Sequence, residues 1–182
     1  MKTKTLGFLT TAAIMLYAGA ANANLLFDIY AGGTYGIGGY TLLADKNTSH
    51  SAQSYGAILG IDIPMFRIEL EYDYVNTDDI KLNLGMANAY FKLPTPVVKP
   101  YIGAGIGTTF ASTYEPTTDI SIDIDDTIAY QGMLGITLDI PVIPFNIDVE
   151  GRVLYASDLF EYTTEKYDLL QYEGRVKLRY VF

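Results

Sequence analysis

Hydrophobic and polar residues alternate with a period of two along most of the chain after residue 24. This spacing predicts β-strands, because an amphipathic helix would repeat its apolar residues at i, i+3 and i+4 instead. The clearest strand is 66–75, in which every second residue from Phe66 to Tyr74 is apolar and the residues between them are charged. Segment 170–182 shows the same pattern. Strands with one apolar and one charged face must lie between two very different media.

Eight such strands are predicted, and their connections differ in length from one rim to the other. The predicted strands are 25–42, 54–63, 66–75, 80–91, 101–110, 128–140, 145–155 and 170–182. The connections 63–65, 93–100 and 141–144 are compact and proline-rich, whereas 43–53, 111–126 and 156–168 are long and polar, and 76–79 is a short exception. Short turns at one rim and long loops at the other predict an all-β fold, an eight-stranded antiparallel up-and-down barrel.

The alternation alone leaves open which face looks outward. A soluble lipocalin-type barrel also has eight strands, with an apolar cavity and a polar exterior. The positions of the aromatic residues favour an apolar exterior, because tyrosine places its ring in hydrocarbon and its hydroxyl among lipid headgroups. Two outward girdles are predicted, Phe66, Tyr90, Phe145, Tyr180 and Phe182 at the short-turn rim, and Tyr55, Tyr74, Phe110, Tyr130, Tyr155 and Tyr172 at the long-loop rim.

The charged face carries both signs, so its residues can pair with one another inside a narrow lumen. This predicted salt-bridge network consists of Arg67, Glu69, Glu71, Asp73, Lys81, Asp148, Glu150, Arg152, Glu173, Arg175, Lys177 and Arg179. Large Tyr, Phe and Leu side chains would overfill the interior of an eight-stranded barrel. Gly103, Gly105 and Gly107 share the charged face and leave room for long side chains. The sequence therefore predicts a transmembrane barrel with a filled lumen.

The N-terminus has the features of a secretory signal. Lys2 and Lys4 precede an uncharged run over 6–21, and Ala21 and Ala23 form a small-x-small cleavage site. The run is too short, and too diluted with Thr, Ala and Gly, for the about 20 apolar residues of a membrane-spanning helix. We therefore expect a signal peptide over 1–23 and a barrel domain over 24–182.

Two segments make a family recognisable: KPYIGAGIG at Lys99–Gly107, and MANAY at Met86–Tyr90. Together with the terminal Tyr180 and Phe182, they resemble the small outer-membrane β-barrel family that includes opacity-type surface antigens and the transmembrane domain of outer membrane protein A. The resemblance covers all of 24–182. It implies an outer-membrane location among phospholipid and lipopolysaccharide, and assembly by the barrel-assembly machinery through the aromatic C-terminus. Some relatives continue into a peptidoglycan-binding domain, which we do not expect after Phe182.

Candidate chemistry is sparse. Neighbours of this family include lipid A acylhydrolases and acyltransferases, but the single histidine, His50, adjoins Ser49 and Ser51 in sequence, whereas catalytic partners usually converge from separate segments. The alternating acids Asp119, Asp123 and Asp125 lack the spacing of an EF-hand loop and predict a hairpin extending above the barrel. We predict no catalytic residue, cofactor or metal site.

The net charge of −9 is concentrated in the segments at the long-loop rim. These segments carry twelve acids against Lys46 and Lys166, a balance of −10 that predicts an acidic crown. The crown consists of Asp45, Asp78, Asp79, Glu115, Asp119, Asp123, Asp125, Asp126, Asp158, Glu161, Glu165 and Asp168. Such a surface disfavours nucleic acid, and a partner outside the cell would have to be cationic.

The function expected from these features is that of a non-enzymatic surface or structural protein of the outer membrane. A narrow solute channel and a lipid A-modifying hydrolase are the alternatives, because this barrel scaffold carries many functions.

Overall fold

A computed structural model describes residues 27–43, 48–77, 80–117, 120–124, 127–140, 142–162 and 165–182. Within these ranges it describes the backbone alone at 42–43, 48–50, 80, 111–117, 120–124, 157–162 and 165–168. The predicted signal peptide, with Ala21 and Ala23, lies outside the described residues. No helix in the described part of the chain is long and apolar enough to cross a membrane.

Nine strands make up the described fold, and eight of them close into an antiparallel barrel. The strands are β1 (Asp28–Leu43), β2 (Thr48–Asp62), β3 (Phe66–Asn76), β4 (Ile80–Lys92), β5 (Val98–Thr117), β6 (Ile120–Ile124), β7 (Ile128–Asp139), β8 (Phe145–Tyr162) and β9 (Glu165–Val181). Pairing of β1 with β9 and of β4 with β5 closes the ring β1-β2-β3-β4-β5-β7-β8-β9, and β6 pairs with the end of β5. The predicted eight-stranded up-and-down barrel is confirmed.

Several strands extend further toward the long-loop rim than the sequence pattern predicted. Strand β2 begins at Thr48 rather than at residue 54, β5 continues to Thr117, β8 continues to Tyr162, and β9 begins at Glu165. The ladder persists because backbone hydrogen bonds between strands do not require an apolar outer face. The segments read as long loops are therefore largely strand, and β6 with β5 forms the predicted hairpin above the barrel.

Burial alternates residue by residue, with the charged side chains inside the barrel. In β3, Ile68 and Leu70 are 59% and 60% exposed, whereas Glu69 between them is fully buried. Outward aromatic rings pack against each other across strands, at 5.5 Å between the ring centroids of Tyr55 and Tyr74 and 5.2 Å between those of Phe145 and Tyr180. An apolar exterior with aromatic residues at both rims, around a charged interior, is the arrangement of a transmembrane barrel.

Strand β4 faces the opposite way from the prediction. Tyr90, expected in the outward girdle, is 2% exposed and points into the lumen, and Lys81, expected in the lumen, is exposed on the outer face. Phe91 takes the predicted place of Tyr90, with its ring centroid 5.5 Å from that of Phe66. Leu82, Leu84 and Met86 are buried inside the barrel. Because successive side chains point to opposite faces of a strand, Lys81 and Phe91 must then point outward and Tyr90 inward.

Candidate functional site

The lumen gathers eleven of the twelve residues predicted to fill it, with Lys81 the exception. Each of these eleven side chains is buried. They are Arg67, Glu69, Glu71, Asp73, Asp148, Glu150, Arg152, Glu173, Arg175, Lys177 and Arg179. They come from β3, β8 and β9, and β3 lies opposite β8 in the ring, so ion pairs between these two strands cross the lumen.

Two arginines and two carboxylates form a closed cluster at the end of this network that is nearer the long-loop rim. Arg152 Nη1 lies 2.5 Å from Asp73 Oδ2, and its Nη2 lies 2.8 Å from Glu173 Oε1. Arg175 reaches the same two oxygens, at 2.6 Å from Asp73 and 2.7 Å from Glu173. Arg175 also pairs with Glu71, which accepts a hydrogen bond from Asn88. Buried charge in this cluster is therefore paired with opposite charge on more than one side.

A lysine and two carboxylates lie next to this cluster, on its side toward the short-turn rim. Lys177 Nζ lies 2.9 Å from Glu69 Oε1 and 3.2 Å from Glu150 Oε1. Glu69 also accepts hydrogen bonds from the hydroxyls of Tyr30, at 2.7 Å, and Tyr90, at 2.9 Å. The tyrosines supply donors that a buried carboxylate needs once it has left water.

Below this level, one aspartate pairs with two arginines. Asp148 lies 2.8 Å from Arg67 Nη1 and 2.9 Å from Arg179 Nε. The Arg67 guanidinium also stacks on two rings, at 4.0 Å from the centroid of Tyr90 and 4.7 Å from that of Tyr101. Stacked guanidinium groups gain cation–π stabilisation. Arg67 is thus held by one carboxylate and two aromatic faces.

The lumenal glycines of β5 make room for side chains of β4. A Cβ at Gly103 would come within 2.3 Å of the Tyr90 ring, and a Cβ at Gly105 within 2.0 Å of Asn88 Oδ1. Real Cβ atoms do not approach so closely, so a side chain at either position would force Tyr90 or Asn88 to move. The sequence indicated that the glycines leave space, although the space serves a tyrosine and an asparagine on the adjacent strand rather than charged groups across the lumen.

A layer of apolar side chains inside the barrel lies between the ion pairs and the long-loop rim, and it was not predicted. Its described members are Tyr40, Ala52, Val75, Leu82, Leu84, Met86, Ala129, Leu154, Ala156 and Leu169, which come from seven of the eight barrel strands. Leu84 is the cross-strand partner of Asp73, which places the layer directly against the arginine cluster. The sequence of β4 does contain apolar residues at every second position, but this pattern is the same whether those residues face lipid or the lumen.

At the short-turn rim the lumen opens into a cavity of about 740 Å³. Two ion pairs line it, Lys92 with Asp62 and Lys99 with Asp139. Arg179 Nη1 lies 3.3 Å from Asp62 and also pairs with the buried Asp148, so the ion pairs continue from the cavity wall into the lumen. From this rim upward, the lumen is therefore an open vestibule, then a charged region, then the apolar layer.

Solved structures of three bacterial proteins share this architecture. Neisserial surface protein A (NspA) matches with a TM-score of 0.63 at 16% identity, over 82% of this chain and 96% of that one. The N-terminal β-barrel domain of OprF from Pseudomonas aeruginosa matches with a TM-score of 0.56 at 15% identity, over 82% and 97%. The outer membrane protein OprG from Pseudomonas aeruginosa matches with a TM-score of 0.54 at 12% identity, over 86% and 96%.

The chain has the fold of the small outer-membrane barrels. The recognition made from Lys99–Gly107 and Met86–Tyr90 is thus confirmed as a recognition of fold. No protein-family model matches the chain, and no curated protein sequence does.

In this small outer-membrane barrel fold, the C-terminal residues close the ladder at the short-turn rim. The backbone N–H of Phe182 donates to the carbonyl of Ile29 at 2.9 Å. The rings of Tyr180 and Phe182 pack edge to face with their centroids 5.2 Å apart, and both are exposed on the outer face. Their role as an assembly signal stays a prediction.

The remaining predicted chemistry lies outside the part of the chain whose side chains are described. This applies to His50, to Asp119, Asp123 and Asp125, and to every member of the acidic crown. Among the residues that the structure does describe, no group of three or more His, Cys, Asp or Glu side chains is arranged to hold a metal ion.

Proposed function

We propose that this chain is a non-enzymatic outer-membrane barrel whose lumen is filled and whose function resides on its outer surface and loops. The shared fold with NspA, OprF and OprG supports the location, as does the apolar exterior. Placement across the membrane puts the short turns in the periplasm and the long-loop rim, with its acidic crown, outside the cell. The chain then presents loops while its interior holds the barrel together.

The observation that carries this proposal is that two different sets of side chains fill the lumen. Cross-lumen ion pairs, such as Arg152 with Asp73, occupy its middle, and the apolar layer around Leu82 and Leu154 occupies its outer part. An ion entering from the vestibule would have to break buried, paired charges and then cross an apolar constriction, where dewetting stops conduction. A narrow channel is for this reason the weaker candidate.

We therefore expect the purified full-length barrel to give no steady unitary current in planar lipid bilayers. An open porin inserted under the same conditions serves as the positive control for insertion and detection. Leu154→Ser should also remain closed, because the ion pairs of Arg152 and Arg175 fill the lumen below it. Reproducible unitary steps from the wild-type barrel would overturn the proposal and restore the channel.

The acidic crown gives the proposed surface a preference for cationic partners. We expect the barrel in detergent to bind a polylysine probe at low salt and to release it as the salt concentration approaches about 1 M, where screening acts within about 3 Å. Asp78→Asn with Asp79→Asn should weaken this binding, since two of the twelve acids are removed. Retention of the barrel on a heparin column at low salt would contradict the proposed charge preference.

A further inference from the structure

The outer face of the barrel carries a short polar row near the long-loop rim. Gln53 is the direct cross-strand partner of Asn76, and Asn76 is the partner of Lys81. All three side chains are exposed, and they lie on the same outward face because their neighbours Ser54, Val75 and Leu82 are buried in the lumen. Two carboxamides and one ammonium group therefore stand side by side across β2, β3 and β4.

Directly below this row lies the aromatic girdle. Tyr55 and Tyr74, two residues further into the barrel wall than Gln53 and Asn76, have ring centroids 5.5 Å apart. The hydroxyl of Tyr72 donates a hydrogen bond to Asn83 Oδ1 at 2.8 Å. Because tyrosine marks the boundary between hydrocarbon and headgroups, the polar row lies at the depth of the headgroups of the outer leaflet.

Among the side chains that the structure describes, the opposite wall shows no such row. At the corresponding end of β7 and β9, the outward residues include Ile128, Tyr130 and Tyr172, which are about half exposed. Lys81 is the one cation on the outward face among the side chains that the structure describes. Within the described side chains, the row is therefore confined to β2–β4.

We propose that Gln53, Asn76 and Lys81 bind the phosphorylated sugar headgroup of lipid A. The ammonium group of Lys81 provides a charge-assisted hydrogen bond to a phosphate, and the carboxamides provide donors and acceptors for sugar hydroxyl and amide groups. The aromatic residues below contact the acyl chains. This site rests on the proposed function, because only an outer-membrane orientation places the row in the leaflet built of lipid A, while anionic phospholipid lies in the periplasmic leaflet.

The test is a titration of the full-length barrel in neutral detergent with bisphosphorylated lipid A, followed by native mass spectrometry. Lys81→Ala should weaken binding by about tenfold, the effect of one charge-assisted hydrogen bond at a partly screened site. Lys81→Arg should bind like the wild type. Lys99→Ala removes a lysine from the vestibule at the other rim and should leave binding unchanged.

Dephosphorylated lipid A and phosphatidylglycerol identify the chemistry that is recognised. Dephosphorylated lipid A should bind wild type and Lys81→Ala equally, and phosphatidylglycerol, which has a single phosphate and no sugar amide group, should bind the wild type more weakly than bisphosphorylated lipid A. The proposal is overturned if Lys81→Ala binds bisphosphorylated lipid A as tightly as the wild type, if Lys99→Ala loses as much affinity as Lys81→Ala, or if phosphatidylglycerol binds the wild type as tightly as bisphosphorylated lipid A does. Recovery of the wild-type chain outside the outer-membrane fraction of cells would overturn the proposed function instead, because the titration in detergent does not depend on location.

Discussion

Leu70→Arg should prevent most molecules of the protein from assembling as barrels in a lipid bilayer. Leu70 lies in the middle of β3 on the outer face, 60% exposed, and its cross-strand partners Leu59 and Ala87 are apolar. An arginine at the bilayer midplane of a barrel costs about 2–4 kcal/mol. The folded fraction can be followed by the shift in electrophoretic mobility between folded and heat-unfolded barrel after refolding into vesicles.

Asn76→Arg is the matched control, since it places the same side chain on the same strand and face but at the long-loop rim. The cost of arginine falls to about 0–1 kcal/mol near the interface, so this variant should fold like the wild type. Equal folding of both variants would mean that the outer face of β3 does not contact lipid, and the soluble lipocalin-type barrel would return as the better description.

Asp148→Asn should be the most destabilising conservative change in the lumen. Asp148 pairs with Arg67 and Arg179 and is fully buried, so its neutralisation leaves the Arg67 guanidinium without its carboxylate partner. Removal of one partner from a buried ion pair costs about 3–5 kcal/mol. The free energy of unfolding, measured by urea titration in vesicles, should fall by that amount.

Asp139→Asn makes the same chemical change at the short-turn rim, where the pair with Lys99 is about a third exposed. A pair of this kind contributes about 0–1 kcal/mol, so this variant should be close to wild type. Arg67→Met should cost less than Asp148→Asn, because Asp148 keeps Arg179 at 2.9 Å. Similar losses for Asp148→Asn and Asp139→Asn would show that the lumenal pairs do not stabilise the barrel.

The sequence predicted the barrel because most of its strands have one clearly polar face and one clearly apolar face. In β3, β8 and β9 each inward position from Arg67 to Asp73, from Asp148 to Arg152 and from Glu173 to Arg179 is charged, and the alternating partners are apolar. If the faces of these strands were assigned the other way round, every charged side chain would lie in lipid. Only one assignment of the inward and outward faces therefore fits the pattern. These three strands supply all eleven of the predicted residues that are buried inside the barrel.

Strand β4 was misread because its two faces do not differ in the same way. Its inward face is apolar toward the long-loop rim, with Leu82 and Leu84, and its outward face there carries Lys81 and Asn83. Alternation shows that the two faces differ without showing which one faces lipid. The apolar layer could be predicted only by knowing which strands are opposite one another, and this is a property of the closed barrel.

The ends of the strands were also underestimated, for a related reason. The alternating apolar pattern in the sequence stops near residues 110 and 155, but β5 and β8 continue to Thr117 and Tyr162. Hydropathy reports the medium around a strand, whereas strand length depends on backbone pairing. The sequence pattern therefore underestimated the lengths of the strands.

The ion pairs between β3 and β8 have a mechanical consequence. Arg67 with Asp148 and Asp73 with Arg152 join walls that face each other across the full diameter, at two different heights. Squeezing the barrel into an ellipse would stretch or buckle these links, so the cross-section should stay close to circular when lateral pressure in the membrane changes. The strand ends from which the loops emerge are then held at fixed spacing, as if mounted on a rigid frame.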